Sequence, residues 1–171
     1  MQRNIPRKIH IIGSVASGKT TLAKELSTKL GVPYYELDNV AWERNPGADR
    51  RRTDLEKRNY LNTIVRSESW IIEGVHNEEW VSGSFQHADL IIFLDINYFT
   101  RTYRIIKRYI FQKAGMEHAN YQPTLKIFLK MFKWNKQFEE RGKPNFFKSF
   151  GKYRDKTIVV CNIKELKNQF S

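Results

Sequence analysis

Short apolar runs alternate along the chain with longer stretches in which apolar residues recur every three or four positions. Ile9 to Ile12 is a brief run ending at Gly13, and its continuity predicts a strand covered on both faces, as in a parallel sheet. Leu22, Leu26 and Leu30 then fall at helical spacing, and the helix is expected to stop at Gly31, ahead of Pro33. Pro33 to Leu37 predicts a second strand. Thr53 and Glu56 form a capping pair for a helix running to about Ser67. Trp70 to Gly74 and Leu90 to Leu94 predict a third and a fourth strand, a basic helix starts near Asn97, and Thr157 to Cys161 predicts a fifth strand. A last helix opens with the pair Asn162 and Glu165. Strands alternating with helices imply right-handed βαβ crossovers and a parallel sheet, so an α/β fold is expected.

One segment breaks the alternation. From about 109 to 150 the apolar positions Ile127, Met131, Trp134 and Phe138 follow a helical period, with Lys126, Lys130 and Lys133 between them. This predicts a helical insertion between strands four and five. At 171 residues, with 40% hydrophobic and 13% aromatic side chains, the whole of 1–171 is expected to fold as a single domain. Cys161 has no partner for an internal disulfide. It is expected as a small hydrophobe on a buried strand, which suits a reducing, cytoplasmic setting. No segment reaches the ~18 consecutive apolar residues needed to cross a bilayer, so no membrane role is expected. The net charge of +12 is unevenly placed. Residues 97–156 carry fifteen Lys or Arg and four acids, which is eleven of the twelve net charges. That region calls for a polyanionic partner, whether nucleotide phosphates, nucleic acid or an acidic surface.

The chemistry concentrates after the first strand. Gly13, Ser14, Val15, Ala16, Ser17, Gly18, Lys19 and Thr20 fit G-x-x-x-x-G-K-[ST] without a mismatch, between a predicted strand and a predicted helix. Glycines let successive backbone N–H groups close on a phosphate chain, and the helix N-terminus adds its dipole and its unpaired donors. In this motif Lys19 reaches the outer phosphates and the Thr20 hydroxyl ligates Mg²⁺. Thr21 is positioned for an inner phosphate. ATP and Mg²⁺ are the expected ligands. Asp95, directly after the fourth strand, has the pattern of an acid serving the metal, or alternatively of a cap for the next helix.

With these residues in view, the chain resembles the nucleoside-monophosphate-kinase-like branch of P-loop proteins, which includes adenylate and shikimate kinases. It is similar, more closely, to bacterial DNA topology modulation (FlaR-related) proteins, through HIIGSVASGKTTLA, PYYELDNVAWER, DRRRTD, WIIEGVH, ADLIIFLD, RTYRIIKR, PTLKI and MFKWN. The resemblance implies a three-layer P-loop fold, a five-stranded parallel sheet with helices on both faces, and the basic insertion as a lid. It also implies a magnesium role for Glu73 at the end of the third strand. Arg101, Arg104 and Arg108 lie at helical spacing after strand four, either as a solvated basic face or, as the resemblance implies for Arg104 and Arg108, to stack on adenine and reach phosphate. Two departures stand out: His76 and Asn77 replace the arginine that often follows the third-strand acid, and the short arginine-rich lid is missing.

The branch builds its acceptor pocket after strand two, here an acceptor-site loop of about 38–67. Asp38 is expected either to take the proton of an attacking hydroxyl, a base that a phosphate acceptor would not need, or to be a turn or cap residue. Tyr34, Tyr35 and Trp42 are expected either to wall that pocket or to be core. Arg44, Arg50, Arg51 and Arg52 are expected to grip an anion or to remain solvated, with Gly47 as a hinge. Together these residues predict an ATP-dependent phosphotransferase acting on a small molecule. The alternative is a DNA-binding ATPase that uses the basic region 97–156. The sequence leaves the oligomeric state open.

Overall fold

The computed structural model describes residues 5–45, 48–116 and 124–169. Gly47, expected as a hinge, and the part of the expected insertion at 117–123 lie outside the described residues. The central sheet has five parallel strands: β1 (Lys8–Gly13), β2 (Tyr34–Glu36), β5 (Trp70–Gly74), β6 (Leu90–Leu94) and β7 (Thr157–Val160), in the order β2-β5-β1-β6-β7. A two-stranded ribbon, β3 (Trp42–Glu43) and β4 (Arg50–Arg51), stands apart. The chain crosses from β1 to β2 on one side and later to β6 on the other, so β1 lies at the switch point where open parallel sheets bind ligands.

Helices cover both faces. One face of the sheet packs Ile9, Ile11, Ile71, Ile92 and Leu94 against α1 (Lys19–Leu30) and α8 (Ile163–Gln169), through Leu22, Leu26 and Leu166. The other packs Ile12, Ile72, Ile91 and Phe93 against α2 (Leu37–Ala41), α3 (Asp54–Val65) and α4 (Ser82–His87). Side chains of β1 alternate between two buried faces, which is why the run reads as continuously apolar. The capping pair forms as expected: Thr53 Oγ1 accepts from Glu56 N, and the Glu56 carboxylate accepts from Thr53 N.

Between β6 and β7 the chain runs through α5 (Tyr98–Lys113), α6 (Leu125–Gln137), a π-helical turn (Phe138–Gly142) and α7 (Lys143–Phe150). The apolar seam of α6 differs from the expected stripe. Met131, Asn135 and Phe138 are buried, whereas Trp134 is 47% exposed. Spacings of four and three residues put Asn135, not Trp134, on the inner face. The fifth strand is an edge rather than a buried strand, with Val159 half exposed, and Cys161 lies past its end and is exposed. Among the described residues, no helix is long and apolar enough to cross a membrane.

Candidate functional site

The loop from Gly13 to Gly18 leaves β1 at the sheet's switch point. A Cβ at Gly13 would come within 3.0 Å of the Leu94 carbonyl oxygen and 2.9 Å of Ser17 Oγ, so only glycine allows the loop to lie this close to β6. Ala16 and Gly18 take positive φ, 57° and 96°. Such alternation turns successive N–H groups into one concavity, the form of an anion nest. Gly18 is the residue before α1, and its side offers no cap, so the first amides of that helix face the same space. Lys19 Nζ curls back to donate to Ser14 O at 2.9 Å, and burial lowers its pKa against the opposing pull of Glu73 and Asp38.

Thr20 Oγ1 donates to Glu73 Oε1 at 2.6 Å, joining the first turn of α1 to the end of β5. Glu73 is 4% exposed, and burial pushes its carboxyl above the usual range although Lys19 and Thr20 oppose the shift. Asp95 is directed elsewhere. Lys143 Nζ donates to its two oxygens at 2.8 and 2.7 Å, and the cap of α5 is Asn97, whose side chain accepts from Phe99 N and Thr100 N. Of the two acids considered for the metal, Glu73 is the one joined to the threonine of the loop.

Arg101, Arg104 and Arg108 share one helix but not one environment. Arg101 is 1% exposed and pairs with Glu139 of the π-helical turn, which also lies 3.8 Å from Lys143 Nζ. Arg104 Nη1 donates to Ala16 O and Ser17 O at 3.3 and 3.2 Å, bracing the phosphate loop from outside. Arg104 and Arg108 also border an open cleft of 370 Å³ beside the loop, with Gly18, Thr21, Phe111 and Ile163. Its lining combines an apolar wall with two guanidinium groups.

The insertion reaches the loop as well. Asn135, fully buried, accepts from Ser14 Oγ at 3.3 Å and donates to Thr102 Oγ1 at 3.2 Å, while Met131 packs with Ala16 and Ile105. Asn135, Glu139 and Lys143 were not among the residues the sequence pointed to. The one available signal was an asparagine at position i+4 from Met131 inside an apolar period.

Asp38, expected as the base for an acceptor, sits on α2 and its carboxylate accepts from His76 Nε2 at 3.3 Å. That hydrogen bond, ahead of burial, sets its pKa below the ordinary carboxylate range, helped by Lys19 and Arg44. The arginines of the neighbouring loop are engaged. Arg44 pairs with Asp49, Arg50 with Glu43 and Glu56, and Arg52 donates to the carbonyls of Asn39 and Val40; Arg51 is exposed. Tyr35 and Tyr34 pack against the two cores, and Trp42 is 37% exposed.

The residues fit a magnesium nucleotide. Ser17 Oγ is buried with no hydrogen-bond partner among the described residues, inside the loop that glycine keeps open. Thr20 and Glu73 supply hard oxygen donors. No group of three His, Cys, Asp or Glu side chains among the described residues is arranged to hold a metal alone.

Residues 9–116, from β1 through α5 and into the turn after it, match the family described as AAA domain. The shikimate kinase of Bacillus cytotoxicus is 27% identical over 129 residues, spanning 65% of this chain and 75% of that enzyme. Two solved structures share the fold with a TM-score of 0.52. One is an uncharacterized protein from Eubacterium ventriosum, 20% identical over 94% of this chain and 93% of that one. The other is shikimate kinase from Bacteroides thetaiotaomicron, 17% identical over 92% and 87%.

Proposed function

From a chain that belongs to the AAA domain family of P-loop NTPases, we propose an ATP-dependent phosphotransferase whose acceptor is the hydroxyl of a small molecule. One observation carries the reading: Asp38 is a carboxylate hydrogen-bonded to His76, three residues past Glu73, the acid joined to Thr20 at the end of the phosphate loop. A loop that only held nucleotide would need no carboxylate there. The relation to a protein named shikimate kinase supports phosphoryl transfer to a small molecule.

ATP supplies the γ-phosphoryl group, and Mg²⁺ neutralises charge on its oxygens. The amides from Gly13 to Thr20 hold the phosphate chain, Lys19 releases Ser14 O to meet the outer oxygens, and Thr20 with Glu73 would hold the ion and its waters. Thr21 lies beside the inner phosphates. Arg104 and Arg108 border the cleft for the base and bring positive charge to the phosphates. Asp38 orients the acceptor hydroxyl and takes its proton as the oxygen–phosphorus bond forms and the bond to the leaving ADP oxygen breaks. Because phosphoryl transfer passes through a loose transition state, that proton moves late and a weakly basic carboxylate suffices. Asn135 and Met131 bring the insertion onto the loop, where it excludes water that would otherwise consume ATP.

The test is a panel of alcohols and nucleosides with γ-labelled ATP, run on wild type and Asp38→Asn. Label should appear in one compound, and the variant should lose about 10²- to 10⁴-fold in kcat while retaining ATP affinity. Undiminished transfer in Asp38→Asn removes the assigned base. Supercoiled DNA in the same panel tests the nucleic-acid alternative, which requires DNA-stimulated hydrolysis.

A further inference from the structure

The ring of His76 stands between two carboxylates. Its Nε2 is 3.3 Å from Asp38 Oδ1, and its Nδ1 is 3.2 and 3.4 Å from the two oxygens of Glu78. The side chain is 17% exposed, and the ring leans on buried Trp80 with centroids 5.2 Å apart. The loop carrying it is also tied to the insertion, since Asn77 Nδ2 donates to Gly142 O at 3.5 Å. A neutral imidazole donates through one nitrogen and accepts through the other. Carboxylates facing both nitrogens need both to carry hydrogen, so this ring is an imidazolium.

Asp38 has the opposite character. Its side chain is 67% exposed, it rides on a helix of five residues, and among the described residues its carboxylate accepts no hydrogen bond except that of His76. Nothing else would keep an exposed aspartate in one rotamer.

We propose that His76 is a positioning residue that acts through Asp38: its Nε2–H fixes Oδ1 and leaves Oδ2 to receive the hydrogen bond of the acceptor hydroxyl. The role rests on the phosphotransfer reading above, while the geometry stands apart from it. Once the ring is neutral a single N–H remains for two carboxylates, so in part of the molecules Nε2 turns a lone pair toward Asp38 and the hold on that carboxylate loosens. The charged groups facing the pair are Glu78 from the same loop, Lys19 from the start of α1 and Arg44 after β3. Burial opposes charge on His76, but the bonds to Asp38 and Glu78 outweigh it and push its pKa up to about 9. A raised histidine pKa means the arrangement is complete below its ordinary value of 6.5 and opens as pH rises through about 9.

Ring ¹⁵N shifts of the full chain read this protonation directly, with His76 assigned by its loss in His76→Gln. Both nitrogens are expected to stay protonated until about pH 9. Glu78→Gln, which keeps Asp38 and His76, should lower the midpoint by about one pH unit. Hydrolysis of magnesium ATP, with water in place of the acceptor hydroxyl, reads the consequence. The wild-type rate should fall as pH rises through about 9. His76→Gln donates at any pH; it should lose about tenfold in kcat, keep its KM for ATP and show no alkaline limb. If that variant does not fold, Glu78→Gln carries the same test through an alkaline limb moved to lower pH. A wild-type ring titrating near 6.5, or an unchanged rate and pH profile in His76→Gln, overturns the positioning role alone. A ring that titrates as expected in a chain that neither hydrolyses ATP nor transfers phosphate sinks the phosphotransfer reading, and the positioning role with it.

Discussion

Thr20 Oγ1 and Glu73 Oε1 are 2.6 Å apart, a hydrogen bond that ties the first turn after the phosphate loop to the neighbouring strand. It aligns the two oxygens that the proposed function assigns to magnesium. Glu73→Gln keeps the shape and removes the charge. It is expected to raise the magnesium concentration for half-maximal nucleotide binding by about tenfold or more, measured by calorimetric titration at fixed ATP. The wild-type protein should also bind magnesium nucleotide less well on the acid side, beginning above the usual glutamate range, because burial raises the Glu73 pKa. The variant should lack that acid limb.

Asp95 gives the contrasting case. Its carboxylate is held by Lys143, with side chains 24% and 29% exposed, and Lys143 leads through Glu139 to buried Arg101. The pair therefore fastens the start of α7 to the end of β6. Asp95→Asn and Lys143→Gln are each expected to lower unfolding free energy by about 1–2 kcal/mol, and the double variant by less than their sum. In Asp95→Asn the magnesium requirement should stay within about twofold of wild type. A raised requirement at unchanged stability would transfer the metal role from Glu73 to Asp95.

The parts of this molecule legible in the sequence were those governed by local rules. Gly13, Gly18 and Lys19 sit at fixed spacing because a phosphate nest is built from consecutive backbone. The Thr53–Glu56 cap and the strand at Leu90–Leu94 likewise depend on near neighbours. The less legible parts depend on contacts distant in the chain. Asp95 looked like a metal acid or a cap because nothing local reveals Lys143, 48 positions away. Trp134 looked like core because an aromatic in a helical period usually is, yet the small inner space beside Ser14 takes Asn135. Arg101 shares the helical spacing of Arg104 and Arg108, and only Glu139, 38 positions away, sets it apart. His76 was noticed only as a departure, and its meaning needed the positions of both Asp38 and Glu78.

One part of the pH response of stability comes from His10, in the middle strand and fully buried. Ser84 Oγ donates to Val81 O at 2.7 Å, so it accepts from His10 Nδ1 at 3.0 Å, and the ring is the neutral tautomer with its proton on Nδ1. Nε2 is buried without a partner among the described residues, and the ring is stacked on Phe85 with centroids 3.9 Å apart. A proton on Nε2 would place a charge in the core, and burial lowers the pKa from 6.5 to about 3. Between those values the unfolded chain binds a proton that the folded chain excludes. Stability should therefore fall as pH drops below 6.5, steepening toward about 1.4 kcal/mol per pH unit from this group. His10→Leu removes the titration and leaves the Ser84 bond to Val81 in place. The difference in unfolding free energy between variant and wild type, measured in urea at several pH values, should shift in favour of the variant as pH falls from 6.5 toward 4 and stay constant above about 7.5. A difference independent of pH would mean that His10 takes up its proton as readily in the folded chain as in the unfolded one, and burial would then not hold the ring neutral.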